Sequence, residues 1–170
     1  PKNKKDQINQ STIRFMAKAS KMKNLKIIQN KKNLGLAESI HRGVDFVSNK
    51  HDSLIILEDD IIPYKNFFKF FNHNLKRFKN NQKISAICGF QYEKFISNKV
   101  LFSMNLKNFI PWGWATWSNK WKEYMLFKKN IKKINNRLTP KYMRAYLNKK
   151  YISSKKKKIW TLMYIYFNFY

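Results

Sequence analysis

Acidic residues are scarce in this chain: nine Asp and Glu stand against 36 Lys and Arg in 170 residues, a formal charge of +27. Cysteine is scarcer still. Cys88 is alone, which excludes an internal disulfide and a cysteine-built metal site, and it fits a reducing compartment. No uninterrupted apolar run reaches the roughly 18–20 residues of a spanning helix, and the aromatic tail from Ile159 to Tyr170 is too short. His41, His51 and His73 lack ligand spacing and read as surface or helix residues. The chain opens on Pro1 with no secretory n-region or cleavage site after it, and so reads as starting partway through a longer protein.

What is present describes a folded domain. A hydrophobic content of 44% with 16% aromatics excludes a disordered tail despite the lysine load. A charge of this size attracts polyanions such as nucleic acid, anionic lipid headgroups or phosphorylated substrates. The lysines are nevertheless spread along the whole chain, with a run only at Lys155 to Lys158. Lysine, asparagine, isoleucine and phenylalanine are abundant together, as AT-rich coding sequence favours. Most of the charge is therefore compositional, with anionic membrane association as a secondary consequence.

Periodicity gives the organisation. Ile8, Phe15, Ala19 and Met22 share a helical face over residues 5–22, and Leu25 to Ile28 suits a strand. Asn33-Leu34-Gly35 is a turn signal, followed by Leu36, Ile40, Val44 and Val47 at helical spacing. Ser53 to Leu57 is a continuous apolar run of the kind found in strands covered on both faces. A helix after Pro63 places Phe67, Phe71, Leu75 and Phe78 inward, and Lys83 to Cys88 reads as the next strand. This alternation predicts an α/β fold with a mostly parallel, Rossmann-like sheet and helices on both faces. Residues 90–125 are aromatic and aperiodic, which suggests a site wall of loops and short elements. Residues 128–158 are very polar and read as helical. With no repeat or linker, one domain is expected.

Three of the nine acids are adjacent, at Glu58-Asp59-Asp60, directly after the buried strand. Ligands of parallel sheets bind beyond the carboxyl ends of the strands. Packed carboxylates repel one another and gain proton affinity unless a cation compensates. Mg²⁺ or Mn²⁺ suits such a site, taking one or two carboxylates together with substrate phosphates and water. A solvated acidic turn, or pairing with the many lysines, is the plainer account; the strand context favours a ligand site.

The run Asn33-Leu34-Gly35-Leu36-Ala37, with Ser39-Ile40 and Gly43-Val44, precedes Leu54-Ile55-Ile56-Leu57-Glu58-Asp59-Asp60-Ile61. Phe67-Phe68, Ile84, Ala86-Ile87 and Gly89-Phe90 follow, then Trp112-Gly113-Trp114-Ala115-Thr116-Trp117 with Trp121 after it. In this order the blocks resemble bacterial glycosyltransferases of the family 2 type, with their EDD and WGWATW motifs, which are similar to N-acetylglucosaminyltransferase I of the GT-A fold. The resemblance covers residues 20–125 well. It implies a truncated GT-A-like domain over 1–170, with a nucleotide-sugar-binding half at 1–90 and an acceptor-side half at 91–170.

By the same resemblance the activity is inverting, metal-dependent transfer of a hexosyl or N-acetylhexosaminyl group from a nucleotide-diphosphate sugar, UDP-sugar favoured, to a glycan hydroxyl. Asp60, with Asp59, would bind Mn²⁺ or Mg²⁺. Glu58 and Asp59 would lie beside the donor's sugar and ribose, and Asn33, Gly35 and Ser39 near the nucleotide. Gly35 permits close backbone approach, and a helix N-terminus favours phosphate charge. Gly43 is read as close helix packing. Trp112, Gly113 and Trp114 would contact acceptor or donor sugar, while a core stripe is the plainer account of Trp117 and Trp121. Acceptors in this group are surface glycans such as lipopolysaccharide or capsule, which puts the protein in the cytoplasm or peripherally on the inner face of the cell membrane.

Two departures follow. The family's opening strand and Asp-Gly pair, which help to seat the base, would precede Pro1. Its proton-accepting carboxylate, needed as the hydroxyl attacks, comes from a Trp-Asp pair; the matching stretch here is Trp160-Thr161. Thr161 cannot be that base, and Glu93 and Glu123 are the acids left after the triad that could substitute. The chain is thus expected to bind donor weakly and to transfer little. A basic nucleic-acid-binding protein and a non-catalytic peripheral membrane protein are the competing classes. Nucleic acid is not favoured, because it leaves the triad unexplained and no recognition motif is present.

Overall fold

The computed structural model of the chain describes residues 4–90, 109–130 and 160–168. It divides into two compact units, Pro1–Ser39 and Ile40–Tyr170. The elements are α1 (Lys4–Ala19), α2 (Leu36–Ser48), β1 (Ser53–Ile56), α3 (Phe67–Arg77), β2 (Ala86–Cys88), β3 (Trp114–Trp117), α4 (Ser118–Asn130) and α5 (Trp160–Phe167). The sequence-derived helix over 128–158 lies, beyond residue 130, outside the described residues until α5.

The protein is a mixed α/β structure, and its sheet differs from the expected mostly parallel one. Three strands run in the order β1-β3-β2, with β3 antiparallel to both neighbours. β1 and β2 therefore point the same way, as their helix-linked sequence order suggested, but β3 is inserted between them. The aromatic block expected to form a loop wall supplies this central strand. All four of its residues are buried, so it shows no polar–apolar alternation by which to recognise it.

Burial on both faces follows from the two-residue strand period. Ile55, Ala115 and Ile87 lie in one cross-strand row. With Trp117 they pack on the α3 side against Phe71 and Leu75. The Trp117 indole Nε1–H donates to the Leu75 carbonyl at 3.1 Å, whereas the buried Trp114 Nε1–H on the other face meets no acceptor among the described residues. On the other face Trp114 lies within 5.0–6.2 Å, ring to ring, of Phe109, Tyr164, Trp160 and Trp121. Thr116 donates to the Ser85 carbonyl at 2.7 Å on that face. Helices thus cover both sides: α3 on one, α4 and α5 on the other.

The first unit is built differently. α1 forms over the stretch expected to be helical, yet buries no residue, and Phe15 is 72% exposed. Leu25 to Ile28 is not a strand; Leu25, Ile27 and Ile28 stay exposed. Apolar residues alone do not make a strand, since its backbone groups need a partner ladder, and none pairs with this segment among the described residues.

Phe71, fully buried at the centre of the α3 face, should dominate that core. We expect Phe71→Ala to destabilise the protein by about 3–5 kcal/mol, measured by urea denaturation.

Candidate functional site

Three chain segments meet at one end of the sheet. Ile56, Trp114 and Cys88 occupy the same row, so β1 and β2 end where β3 begins. Beyond that row lie Leu57 to Asp60, Gly89-Phe90 and Trp112-Gly113. The Gly89 N–H donates to the Gly113 carbonyl at 2.7 Å, closing the end of the ladder. Gly113 has φ +68°, and a Cβ there would meet the Phe67 ring at 3.0 Å. A Cβ on Gly89 would meet both that ring and the Gly113 carbonyl at 3.0 Å. Only glycine fits this close approach at either position.

The acidic triad occupies the β1 arm of this edge. Asp59 and Asp60 form an exposed turn, and the Ile61 N–H donates back to the Glu58 carbonyl at 3.3 Å. Glu58 is half-buried, and its carboxyl is pushed above the ordinary glutamate value first by burial, then by the charges of Asp60 and Asp59. The turn is a concentration of negative charge in a strongly basic protein. Its donors are hard oxygens with open solvent around them, which suits a divalent cation that keeps water and phosphate ligands. Among the described residues no three His, Cys, Asp or Glu side chains, those of the triad included, are grouped so as to hold a metal ion together, so a cation here would rest on one or two carboxylates.

The tryptophan trio separates into two roles. Trp112 is 42% exposed and packs edge-on against Phe90 at 4.9 Å on the site's edge. Trp114 has no exposure. It lies in the core behind the edge, because the strand period turns it toward α4 and α5, and it offers no surface to a sugar. Trp114, Trp117 and Trp121 do not form a helical stripe; the first two lie on β3 and the third on α4.

The remaining site residues fall elsewhere. In the first unit, the Asn33 side-chain carbonyl accepts the Gly35 N–H at 2.8 Å, and Gly35 takes φ +76°. Ser39 Oγ donates to the Gly35 carbonyl at 2.8 Å in the opening turn of α2. This turn borders a groove of about 560 Å³ that also includes Gln10, Arg14, Lys31 and Lys32. Thr161 is on α5 and is half-buried. Glu123 is held by Lys120, whose Nζ lies 3.0 Å from its Oε2 and also donates to Gln82. Glu93 lies outside the described residues.

Sequence reasoning missed His41, which is buried rather than superficial. Lys128 Nζ lies 2.9 Å from its Nδ1, and a lysine ammonium can only donate, so Nδ1 accepts. The proton of a neutral ring is then on Nε2, 3.4 Å from the Tyr124 hydroxyl. Burial pushes the Tyr124 and Tyr164 phenols well above their ordinary values, so both stay protonated. The same cause raises the Cys88 thiol, which leaves it a poor nucleophile. A helical period that points His41 toward the apolar positions of α2 was the available signal. No family model, curated protein or solved structure matches the chain.

The Glu58 environment has a measurable sign. A raised folded-state value means that its stabilising contribution is fully present below about 4.5 and is lost as pH rises through the folded value. Glu58→Gln should therefore raise Tm near pH 7 and leave it unchanged near pH 4. Carboxyl-carbon NMR should show Glu58 titrating above 4.5 and moving down in Asp60→Asn.

Proposed function

We propose that the chain is a metal-dependent glycosyltransferase domain that binds a nucleotide-diphosphate sugar at the edge carrying Glu58, Asp59 and Asp60. The observation that carries this reading is the triad's position: three of the nine acids follow β1 directly, at the end of the sheet from which Gly89-Phe90 and Trp112-Gly113 also emerge. The blocks that resemble family 2-type enzymes support it, since two of them, the acidic triad and the tryptophan block, meet at this one edge. The finer assignment to a GT-A-like fold belongs to the same proposal. Its support is the pair of codirectional strands β1 and β2 joined through α3, with helices on both sides of the sheet.

Each residue's work follows from its chemistry. Asp60, with Asp59, would hold Mn²⁺ or Mg²⁺, whose contribution is to neutralise the diphosphate leaving group. Glu58, partly desolvated, would accept hydrogen bonds from the donor's sugar or ribose hydroxyls. Trp112 with Phe90 would provide an aromatic corner against a pyranose ring. Gly113 and Gly89 hold these arms together without a side chain in the way. By resemblance, Asn33, Gly35 and Ser39 also belong to donor binding. Thr161 carries no carboxylate and Glu123 is committed to Lys120, so the described residues after the triad provide no free base. Donor binding should therefore exceed transfer.

Calorimetric titration of the chain with UDP-sugars should give heat that requires Mn²⁺ or Mg²⁺ and vanishes with chelator. Asp60→Asn should weaken that binding at least about tenfold while the circular dichroism spectrum stays unchanged. No heat at millimolar ligand would overturn the proposal.

A further inference from the structure

The outer face of α4 and the adjoining face of α2 form a second surface, away from the triad. Lys122, Met125, Leu126 and Lys129 fall at i, i+3, i+4 and i+7, one side of a helix. With Asp45 and Ser48 of α2, and Asn49 just after it, they line a groove of about 710 Å³. Leu126 is 60% exposed, and Lys122 and Lys129 flank it about 10 Å apart along the helix. Asp45 is the acid lining this groove, and its carboxylate accepts the Trp121 indole N–H at 2.5 Å. An exposed leucine alone means little. An apolar centre between two lysines, on the side of the sheet opposite α3, is a more specific arrangement.

We infer that this α2–α4 face docks on an anionic phospholipid surface, with Leu126 and Met125 entering the headgroup boundary and Lys122 and Lys129 meeting lipid phosphates. Lysine stems reach outward past the apolar centre, so the ammonium groups sit at headgroup level while the leucine goes deeper. A nucleic-acid backbone would satisfy the lysines but give Leu126 nothing to bury against. A bilayer satisfies both. Lys128, which bonds to His41, is not needed for the contact.

Co-sedimentation of the full chain with phosphatidylcholine vesicles, with and without about one quarter phosphatidylglycerol, tests the inference. No nucleotide or metal is added, so the result stands apart from the donor-binding proposal, and either can fail alone. Binding should require the anionic lipid. Each lysine near a charged surface is worth about fivefold in partitioning, so Lys122→Gln with Lys129→Gln should reduce it about 25-fold. Leu126→Ser should reduce it several-fold without changing charge. Lys69→Gln with Lys76→Gln, an equal charge change on exposed positions of α3, should leave it within about twofold. An equal loss in the α3 pair would show diffuse attraction to the basic protein and overturn the inference. So would an unaltered Leu126→Ser variant, or equal binding to neutral vesicles.

Discussion

Everything in the second unit depends on β3 being buried on both faces at once. A strand of two tryptophans, an alanine and a threonine has no polar side to give to solvent, so it requires cover from α3 on one face and from α4 and α5 on the other. The same strand supplies both ladders of the sheet, because β1 and β2 bond only to it. It therefore couples two separate cores. Ala115 and Trp117 join the phenylalanine cluster, and Trp114 and Thr116 join the aromatic group around Tyr164.

That coupling determines what the candidate site can be. The triad, the Phe90–Trp112 pair and the two glycines are continuations of the three strands past a single row. Their relative placement is inherited from strand register rather than from loop packing. Sites held by regular elements are more precisely positioned than sites on free loops. Burial, then the charges of Asp60 and Asp59, disfavour the ionised Glu58 carboxyl at the end of an otherwise well-packed strand. Local conflict of that kind is expected where a ligand completes the electrostatics.

Much of this was legible in the sequence. α2, β1, α3 and β2 follow from periodicity and from one unbroken apolar run, and the triad stands out against so few acids. The central strand was not legible, because WATW is too short and too uniformly apolar to show a period. The segment Leu25 to Ile28 failed for the opposite reason: its composition suits a strand, but pairing is a property of a partner that local sequence does not report. His41 was misjudged because a lone histidine is judged by spacing to other ligands, whereas its burial arises from Trp121 and Tyr124, some 80 residues away. The Trp112–Trp114 distinction likewise needed the strand's facing, which only the ladder provides.

The strand order also bears on how the chain matures as it is made. β1 is complete at residue 56 and β2 at residue 88, but the strand that joins them begins only at residue 114. At ribosomal rates of about 5–20 residues per second, β1 waits seconds with both edges unpaired. During that interval the nascent chain presents a short apolar strand followed by three carboxylates. Charge near an open edge discourages strand-to-strand association, and the three carboxylates that follow β1 put such a charge next to it.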